Sequence, residues 1–524
     1  MRFWTKEPHS SEKRLSHPND NLYVTLSQGF PADKEQVAIE TPDKDYSWAD
    51  IDALSAQYAH ALTSLKLNEG ARVAVQVEKS PEALMLYLAC LRAGYVYLPL
   101  NTAYTRNEVA YFLGDAKPEL LVCDPQSLAT LQEVAQECGT DHVYTLDAQG
   151  QGSFADLAAE QPTSFNTVAR QADALAAIVY TSGTTGRSKG AMLSHGNLAS
   201  NAQVLNDFWG WRSDDVLLHM LPIFHVHGLF VASHGALLAG AKMIWLPRLD
   251  IEQALHYLPQ STVLMGVPTY YVRLLAHEGF NRDVCASMRL FISGSAPLLE
   301  ETFAAFEERI GQPILERYGM SETIMLTSNP YDAELGPRVA GTVGRPLPEV
   351  KVRIVDDNDE LVSGSEVGHV QVQGPNVFSG YWQMPEKTAE EFTDDGWFRT
   401  GDMGQWTTVE GGHEYLSIVG RNSDMIISGG YNVYPKEIEL LIDDFAGVNE
   451  SAVVGIADAD FGEAVVAAVV PLPGQTVDTE ALEQHLRGEL ANYKVPKQIH
   501  IIDELPRNTM AKVQKNVLRE QFSK

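Results

Sequence analysis

The sequence is short of cysteine and of long apolar runs, and each shortage excludes a class of protein. Four cysteines occur among 524 residues, at positions 90, 123, 138 and 285, and none belongs to a CxxC pair. This spacing argues against a disulfide or zinc framework and indicates a reducing compartment, for which we predict the cytoplasm. No apolar run reaches the ~18 residues of a membrane-spanning helix, so no membrane span is expected.

Positive charge is also scarce. Acidic residues outnumber basic residues by 69 to 39, which gives a formal net charge of −30. A surface of this sign repels nucleic acid and anionic membranes, so neither is expected as a partner. A phosphate-binding protein this acidic must concentrate its positive charge locally. Residues 1–20 have mixed charge and no apolar core, so we interpret them as a polar arm and not as a signal peptide.

Strand-like and helix-like segments alternate from residue 72 to residue 318, including a helix predicted over 229–238. Such alternation predicts βαβ units in two doubly wound α/β layers. From residue 339 the pattern changes to short β segments between glycines and prolines, which predicts a small β-barrel-like subdomain. The remainder is long enough for an α+β unit. We therefore predict a large α/β domain at 21–420, a hinge at 421–424 and a small mobile α+β domain at 425–524.

A glycine-rich loop is the most distinctive local feature. An apolar run typical of a buried strand leads into TSGTTGRSKG at 181–190. Glycines allow a ligand close to the backbone, hydroxyls donate hydrogen bonds, and Lys189 supplies charge for phosphate oxygens. The loop is not a Walker motif, because Gly190 follows the lysine where that motif has Ser or Thr. By itself it fits a polyphosphate cradle and an ordinary polar surface loop equally well.

Three other polar loops follow predicted strands, at 222–227, 293–297 and 318–322. Ligands of doubly wound sheets bind at the carboxyl ends of the strands. We therefore expect these loops and the glycine-rich loop to converge on one site.

The chain resembles the adenylate-forming superfamily, which comprises acyl-CoA synthetases, luciferases and non-ribosomal adenylation domains. The motifs that carry the resemblance span nearly the whole chain: TSGTTGRSKG (181–190), LPIFH (221–225), SGSAPL (293–298), RYGMSE (317–322), WFRTGD (397–402), GRNSDMIISGGYNVYP (420–435) and PRNTMAK (506–512). The resemblance implies an enzyme that uses ATP and Mg²⁺ to form an acyl-AMP and then transfers the acyl group to the thiol of CoA.

The resemblance also implies roles for the motif residues. The phosphates of ATP are expected to bind to Thr181, Ser182, Gly183, Thr184, Thr185, Gly186, Arg187 and Lys189. AMP is expected to contact Gly294, Ser295, Ala296, Pro297, Tyr318, Gly319, Met320, Ser321, Asp402 and Arg421, with the ribose hydroxyls on Asp402. Mg²⁺ is expected on Glu322, as suits a hard carboxylate. The implied catalytic set is Thr185, His225, Glu322 and Lys512, with Lys512 neutralising charge at the α-phosphate.

A second orientation of the small domain is implied as well. Ser428, Gly429 and Gly430 are expected to line the CoA tunnel after rotation about Ser423. Two positions depart from the family pattern: Ala511 stands where glycine is usual, and Ser423 stands where Asp or Lys is usual. We expect both the chemistry and the rotation to survive. A protein acetyltransferase acting on Lys512 is expected by family analogy alone.

The segments around the acid pocket resemble malonyl-CoA synthetases more than fatty-acid or coumarate ligases. They are LPIFHVHGLFVASHGALLAG, VLMGVPTYYVRLL, MRLFISGSAPL and ERYGMSETIMLTSNPYD. A dicarboxylate needs a cation for its distal carboxylate, and Arg289 shares one strand face with Ser293, so Arg289 is predicted as that ligand. The predicted acid pocket consists of Arg289, His225, His227, Ser293 and Met320. Methylmalonate is expected as a weaker substrate, because one methyl group discriminates by only ~1–3 kcal/mol.

Three other functions remain open from the sequence. The chain fits a ligase for another small or medium-chain acid, and it fits a stand-alone adenylation enzyme that loads a carrier protein. A non-enzymatic ATP-binding scaffold is a third alternative. The presence of Lys512 speaks against the scaffold, because binding ATP alone does not require it.

Overall fold

A computed structural model describes residues 19–181, 188–428, 431–458, 462–490, 492–508 and 512–523. The polar arm predicted at the amino terminus lies almost wholly outside these ranges. No helix within them is both long and apolar enough to cross a membrane.

The strands, in chain order, are β1 (Val37–Glu40), β2 (Asp45–Ser47), β3 (Arg72–Gln76), β4 (Val96–Pro99), β5 (Leu120–Cys123), β6 (His142–Thr145), β7 (Leu175–Thr181), β8 (Lys189–Ser194), β9 (Val216–His219), β10 (Lys242–Trp245), β11 (Val263–Gly266), β12 (Leu290–Ser293), β13 (Leu315–Tyr318), β14 (Thr327–Ser328), β15 (Arg345–Pro346), β16 (Lys351–Val355), β17 (Gly368–Gln373), β18 (Phe398–Thr408), β19 (Glu414–Arg421), β20 (Ile426–Ser428), β21 (Tyr431–Val433), β22 (Val448–Asp458), β23 (Gly462–Pro471) and β24 (Gln498–Ile501).

The α-helices are α1 (Leu22–Ser27), α2 (Trp48–Ser64), α3 (Pro81–Ala93), α4 (Arg106–Ala116), α5 (Leu128–Cys138), α6 (Ser153–Ala159), α7 (His195–Phe208), α8 (His234–Ala239), α9 (Ile251–Tyr257), α10 (Pro268–Leu275), α11 (Glu300–Ile310), α12 (Pro385–Glu391), α13 (Pro435–Asp443), α14 (Thr479–Glu489) and α15 (Lys515–Phe522). A π-helix spans His227–Ser233, and short 3₁₀ turns span Pro125–Ser127, Leu258–Gln260, Ala333–Leu335 and Asn422–Asp424.

Two sheets form the large α/β body. One has the strand order β6-β5-β3-β4-β7-β8, and the other has the order β15-β14-β13-β12-β11-β9-β10-β1-β2. The strands from β13 to β1 in the second sheet are parallel to one another, and antiparallel strands flank them at both ends. The predicted doubly wound α/β architecture is thereby confirmed.

Helix α3 shows why the two sheets pack as one body. All of its residues are buried, Ser80 caps its first turn, and Gly94 ends it at φ +76°. A helix that is apolar on every side needs a core around its whole circumference. One continuous apolar cluster accordingly includes α3 and residues of both sheets.

The residues that precede position 72 also fold, which the alternation pattern did not predict. Strands β1 and β2 extend one edge of the nine-stranded sheet. Helix α2 begins at a reciprocal capping box between Ser47 and Asp50. That pair is the local sequence signal for the start of the helix.

Strands β16 to β19 form an antiparallel sheet in the order β16-β17-β18-β19. Residues 343 and 344 continue this sheet beyond β19 through backbone hydrogen bonds with Leu416. Closure of this subdomain into a barrel stays a prediction.

The carboxyl-terminal segment has cores of its own. Its sheet has the order β21-β20-β23-β22, and β24 pairs with β23. Alternate residues of β22 and β23 face α13 and α14 on one side and α15 on the other. This period-two alternation fits the predicted α+β unit. The domain bounds and the hinge position stay predictions.

The prediction that Arg289 binds the distal carboxylate of the acid is wrong. Arg289 precedes β12, so it lies at the amino end of the strand, opposite the edge where the polar loops lie. Its guanidinium forms a two-pronged ion pair with buried Asp215, in which Nε is 2.7 Å from Oδ1. The guanidinium also stacks on Tyr331, 4.9 Å from the ring centre. The period-two pattern predicts which face of a strand a side chain lies on, but it does not predict at which end of the strand the active site lies.

We expect Arg289→Met to lower stability and to spare the active site. Burial opposes ionisation of Asp215, but hydrogen bonds from Arg289 and Thr262 outweigh it and lower the pKa of the carboxyl. Removing Arg289 leaves a buried carboxylate unpaired, which costs about 3–5 kcal/mol of unfolding free energy. Because the folded-state pKa is lowered, this stabilisation is present above pH ~4 and is lost as the pH falls further.

Urea unfolding at neutral and acidic pH measures the effect. The double variant Asp215→Asn/Arg289→Met should recover part of the loss, because no buried charge then remains unpaired. An Arg289→Met protein as stable as the wild type at neutral pH would contradict the expectation.

Candidate active site

Several polar side chains meet at the carboxyl ends of β12 and β13. Ser293 ends β12 and Tyr318 ends β13, and the two strands pair in parallel. Asp402 lies on β18, directly opposite Arg421 at the end of β19. Lys512, from the carboxyl-terminal segment, lies at the same place. Its ammonium group is close enough to interact electrostatically with Asp402, Glu322 and His225. The structure thus brings residues from five of the quoted motifs together with Lys512.

Asp402 is held by donors on two sides. The Tyr318 hydroxyl donates to Oδ2 at 2.5 Å, and Arg421 Nε lies 3.5 Å from Oδ1. Burial raises the pKa of Asp402, and the charge of Arg421 and the Tyr318 hydrogen bond oppose that rise. A fixed, acceptor-only carboxylate suits a pair of ribose hydroxyls, which are donors.

Lys512 lies among charges of both signs. Its backbone is braced by two hydrogen bonds to Asn508, 3.0 Å to Oδ1 and 2.9 Å from the Asn508 amide to the Lys512 carbonyl. Burial lowers the pKa of Lys512, as does the charge of Arg421, whereas Asp402 and Glu322 raise it. An ammonium group that is partly desolvated acts strongly on an oxyanion, because water screens it little.

Glu322 and Lys189 face each other across Tyr381. The Tyr381 hydroxyl donates to Glu322 Oε1 at 3.0 Å, and Lys189 Nζ lies 4.3 Å from the centre of the Tyr381 ring. Lys189 Nζ is also 3.5 Å from Glu391 Oε1. Burial raises the pKa of Glu322, and the Tyr381 hydrogen bond and the charges of Lys189 and Arg421 oppose that rise.

This arrangement fits a magnesium–nucleotide complex. Mg²⁺ binds to one or two protein carboxylates and takes its other ligands from phosphates and water. Glu322 supplies one buried carboxylate, and Lys189 places a cation where phosphate oxygens would lie. No cluster of three or more metal-ligating side chains occurs in the described ranges.

The loop after β12 passes over a buried arginine. A side chain at Gly294 would put its Cβ 2.4 Å from Arg317 Cζ, so it would have to displace the guanidinium. Ser295 has φ +71°, a strained left-handed conformation for serine. Its Oγ lies 3.3 Å from His227 Nδ1. Strain of this kind is retained where the surroundings hold the residue in place, which is common at binding sites.

Several buried polar atoms at this end of the site have no hydrogen-bond partner within the described residues. They are Arg317 Nε and Nη2, His227 Nε2 and Ser293 Oγ. Burial lowers the pKa of Arg317 to about 9 and that of His225 to about 3. At neutral pH the guanidinium is therefore charged and the imidazole is neutral. Unpaired polar atoms in a buried place indicate a ligand site.

Sequence reasoning missed Arg317. It precedes Tyr318 within RYGMSE and is buried to 2 % exposure. Its signal was present in the sequence, because a charged pair, Glu316 and Arg317, stands on an otherwise apolar strand. Burial raises the pKa of Glu316 to about 8, so this neighbour is largely uncharged at neutral pH and gives Arg317 little compensation.

Some predicted site residues lie outside the described ranges: Ser182, Gly183, Thr184, Thr185, Gly186, Arg187, Gly429 and Gly430. Their roles stay predictions. The described neighbours are Thr181 and Lys189, which are paired across β7 and β8, and buried Ser428 at the end of β20. Ala296 and Pro297 are exposed beyond Ser295, and Gly319, Met320 and Ser321 are half-buried after Tyr318.

Two family models match the chain. The AMP-binding enzyme model covers residues 27–382, and the model of the AMP-binding enzyme C-terminal domain covers residues 437–512. The chain belongs to the AMP-binding enzyme family. The motifs quoted from the sequence lie within these two matches or between them, which confirms the resemblance.

Known relatives of this AMP-binding enzyme cover most of its length. An indoleacetate–CoA ligase of Aromatoleum aromaticum is 36 % identical over 93 % of the chain and 95 % of its own length. A mitochondrial malonate–CoA ligase of Mus musculus is 37 % identical, over 82 % of the chain and 78 % of its own length.

The structure of ATP-bound MatB from Rhodopseudomonas palustris matches with a TM-score of 0.92 and 51 % identity, over 96 % of this chain and 99 % of that one. The apo form of MatB matches with a lower TM-score of 0.82. The structure of this AMP-binding enzyme therefore resembles the ATP-bound form of MatB more closely than the apo form of MatB.

We expect Lys512→Ala to abolish acyl-AMP formation while ATP still binds. The ammonium group would stabilise charge that develops during the reaction, and the loss of one such donor lowers the rate by about 10²–10³. Pyrophosphate release reports the chemical step, and calorimetry reports ATP binding.

Lys494→Ala is the matched control. Lys494 is in the same segment, but it pairs with Glu437 at 2.7 Å and does not face the site. If the Lys512→Ala enzyme released pyrophosphate at the wild-type rate, the assignment of Lys512 would be refuted.

Proposed function

We propose that this AMP-binding enzyme is a carbon–sulfur ligase that joins malonate to CoA. It uses ATP, passes through malonyl-AMP, and releases AMP and pyrophosphate. The observation that carries the proposal is the buried guanidinium of Arg317, which is charged and lacks partners for Nε and Nη2 among the described residues. Relatives named malonate–CoA ligase, from Mus musculus and Arabidopsis thaliana, support it at 37 % and 34 % identity.

The charge of Arg317 favours a short dicarboxylic acid. A buried cation without a partner is costly, and a second carboxylate on the substrate would remove that cost. A monocarboxylate or an aromatic acid would leave the guanidinium unpaired, which strongly disfavours binding. His227 Nε2 and Ser293 Oγ, also unpartnered in the described structure, add polar contacts beside it.

The first step joins the acid to AMP. A carboxylate oxygen of malonate attacks the α-phosphorus, and the bond from that phosphorus to the pyrophosphate oxygen breaks. Lys512 neutralises the charge on the α-phosphate, and Asp402 holds the ribose so that the reacting atoms stay aligned. Bound to Glu322, Mg²⁺ would neutralise phosphate charge.

The second step transfers the acyl group. The thiolate sulfur of CoA attacks the carbonyl carbon of malonyl-AMP, a carbon–sulfur bond forms, and AMP leaves. We infer that the small domain first rotates about Ser423, withdraws Lys512, and brings Ser428 toward the pantetheine arm. In support, Ser423 is exposed in the short turn Asn422–Asp424 between β19 and β20.

Two further proposals rest on indirect support. Residence in the cytoplasm rests on the cysteines, which are all free. Acetylation of Lys512 rests on family analogy, and it would remove the positive charge on which the first step depends.

An acid panel tests the main proposal. We expect malonate to exceed methylmalonate, succinate, acetate, octanoate and indoleacetate in CoA-dependent AMP formation by about tenfold or more in kcat/KM, equivalent to about 1.4 kcal/mol per tenfold. Omitting CoA should stop turnover after one equivalent of acyl-AMP. A lead for acetate, octanoate or indoleacetate would refute the malonate assignment and leave the ligase chemistry in place.

A pair of arginine variants tests the acid pocket. We expect Arg317→Met to raise the KM for malonate by about 100-fold or more, because removing one partner of a buried charge pair costs 2–5 kcal/mol or more. Arg289→Met should leave this KM unchanged in the folded protein. Equal KM values in the wild type and the Arg317→Met enzyme would show that Arg317 does not bind the acid.

A further inference from the structure

A half-buried lysine joins the two sheets of the large body at the edge where the active site lies. Lys79 follows β3, and its ammonium group reaches the carboxyl ends of β9 and β10. Nζ lies 2.9 Å from His219 Nδ1, 2.9 Å from the His219 carbonyl oxygen and 2.6 Å from the Leu246 carbonyl oxygen. It also lies 4.5 Å from the centre of the Trp245 ring. All its contacts in the described structure are neutral.

The contacts of His219 determine where its proton lies. His219 Nε2 is 3.0 Å from the Gly228 carbonyl oxygen and 3.1 Å from Ser233 Oγ. A carbonyl oxygen only accepts, so Nε2 must carry the proton. Burial and the charge of Lys79 both lower the pKa of His219, so the ring is neutral and Nδ1 has no proton. Nδ1 therefore accepts from Lys79, and the three acceptors around Nζ require all three ammonium hydrogens.

The Gly228 carbonyl belongs to the π-helix His227–Ser233, where the sequence predicted an ordinary helix over 229–238. The Ser233 hydroxyl also donates to this carbonyl, at 2.9 Å. A side chain at Gly228 would put its Cβ 2.1 Å from the Pro222 carbonyl oxygen, so the backbone is packed tightly there. π-Helical turns are rare and often mark functional sites. The hydrogen bond from His219 reaches the first turn of this π-helix.

The residue before Gly228 is His227, whose ring lies at the acid end of the active site. His227 Nδ1 is 3.3 Å from Ser295 Oγ, and its Nε2 has no partner in the described part of the chain. A shift of the Gly228 peptide would move His227 away from Ser295 and Arg317. The geometry thus links Lys79 to the acid pocket through His219 and Gly228.

We propose that Lys79 and His219 are positioning residues for the acid subsite. Lys79 donates to Nδ1 and holds the ring of His219 in place, and His219 holds the first turn of the π-helix so that His227 faces the acid. Neither residue touches the reacting atoms. This inference rests on the proposed function only in taking the acid to bind beside His227.

Lys79→Met tests the proposal, because methionine keeps the length of the side chain but removes every donor. We expect the KM for malonate to rise about tenfold or more while the KM for ATP changes by less than about threefold, a split that general loosening of the fold would not produce. Lys79→Gln retains an amide donor and should recover part of the loss. ¹⁵N spectra of histidine-labelled protein should show that the signal of the unprotonated Nδ1 of His219 shifts in Lys79→Met, because this nitrogen loses its donor, with His219→Gln providing the assignment.

Lys242→Met is the matched control. Lys242 lies at the opposite end of β10 and pairs with Glu40 at 2.7 Å, so its loss should leave the KM for malonate unchanged. If Lys79→Met fails to fold, His219→Gln keeps a donor for Gly228 and should retain a lower KM for malonate than His219→Leu.

Three outcomes would overturn the proposal: an unchanged KM for malonate in Lys79→Met, equal increases in the two KM values, or equal KM values for malonate in the two His219 variants. If the wild type prefers another acid in the panel, that acid replaces malonate in these measurements. The ¹⁵N result does not depend on the identity of the acid, so failure of the proposed function and failure of this inference remain distinguishable.

Discussion

Positive charge is buried at one edge of the α/β body of a chain whose net charge is −30. Arg317, Lys512 and Lys79 all lie at this edge, and their burial lowers the pKa of each. Burying a cation is costly unless hydrogen bonds or opposite charges compensate for it. The three cations differ in how many acceptors and opposite charges the protein places around them. We infer their different roles from this difference. Lys79 has an acceptor for each of its three hydrogens, so it holds other groups in place. Lys512 lies between two carboxylates and another cation. Arg317 has donors without a partner in the described structure, which we propose bind a ligand.

The two arginines around β12 show the same principle at opposite ends of the sheet. Arg289, at the amino ends of the strands, is neutralised by Asp215 and stacked on Tyr331. Arg317, toward the carboxyl end of β13, has Glu316 as its neighbouring carboxyl in the described part of the chain, and burial raises the pKa of Glu316 to about 8. A paired arginine stabilises the fold, whereas an incompletely paired one retains capacity to bind an anion. The location of the acid subsite therefore follows from which arginine the protein leaves without a carboxylate.

The acid subsite depends on backbone geometry as much as on charge. Gly294 lets the loop after β12 cross the Arg317 guanidinium, and Gly228 lets the π-helix pack on the Pro222 carbonyl. Ser295 is held at a positive φ where its hydroxyl meets His227. These close approaches fix the positions of the polar groups around Arg317 and His227.

The sequence alone determined the family and the doubly wound architecture, and it predicted the residues of the nucleotide site. These features depend on contiguous motifs and on the alternation of strand and helix, which are local properties of the chain. Only the tertiary structure distinguished Arg289 from Arg317, because both stand beside apolar strands and they differ in the end of the strand at which they lie and in their partner across the sheet. The same limit applies to the Lys79–His219 contact, which joins positions 140 residues apart. Contacts between distant segments set the pairing of buried charges, and no local pattern records that pairing.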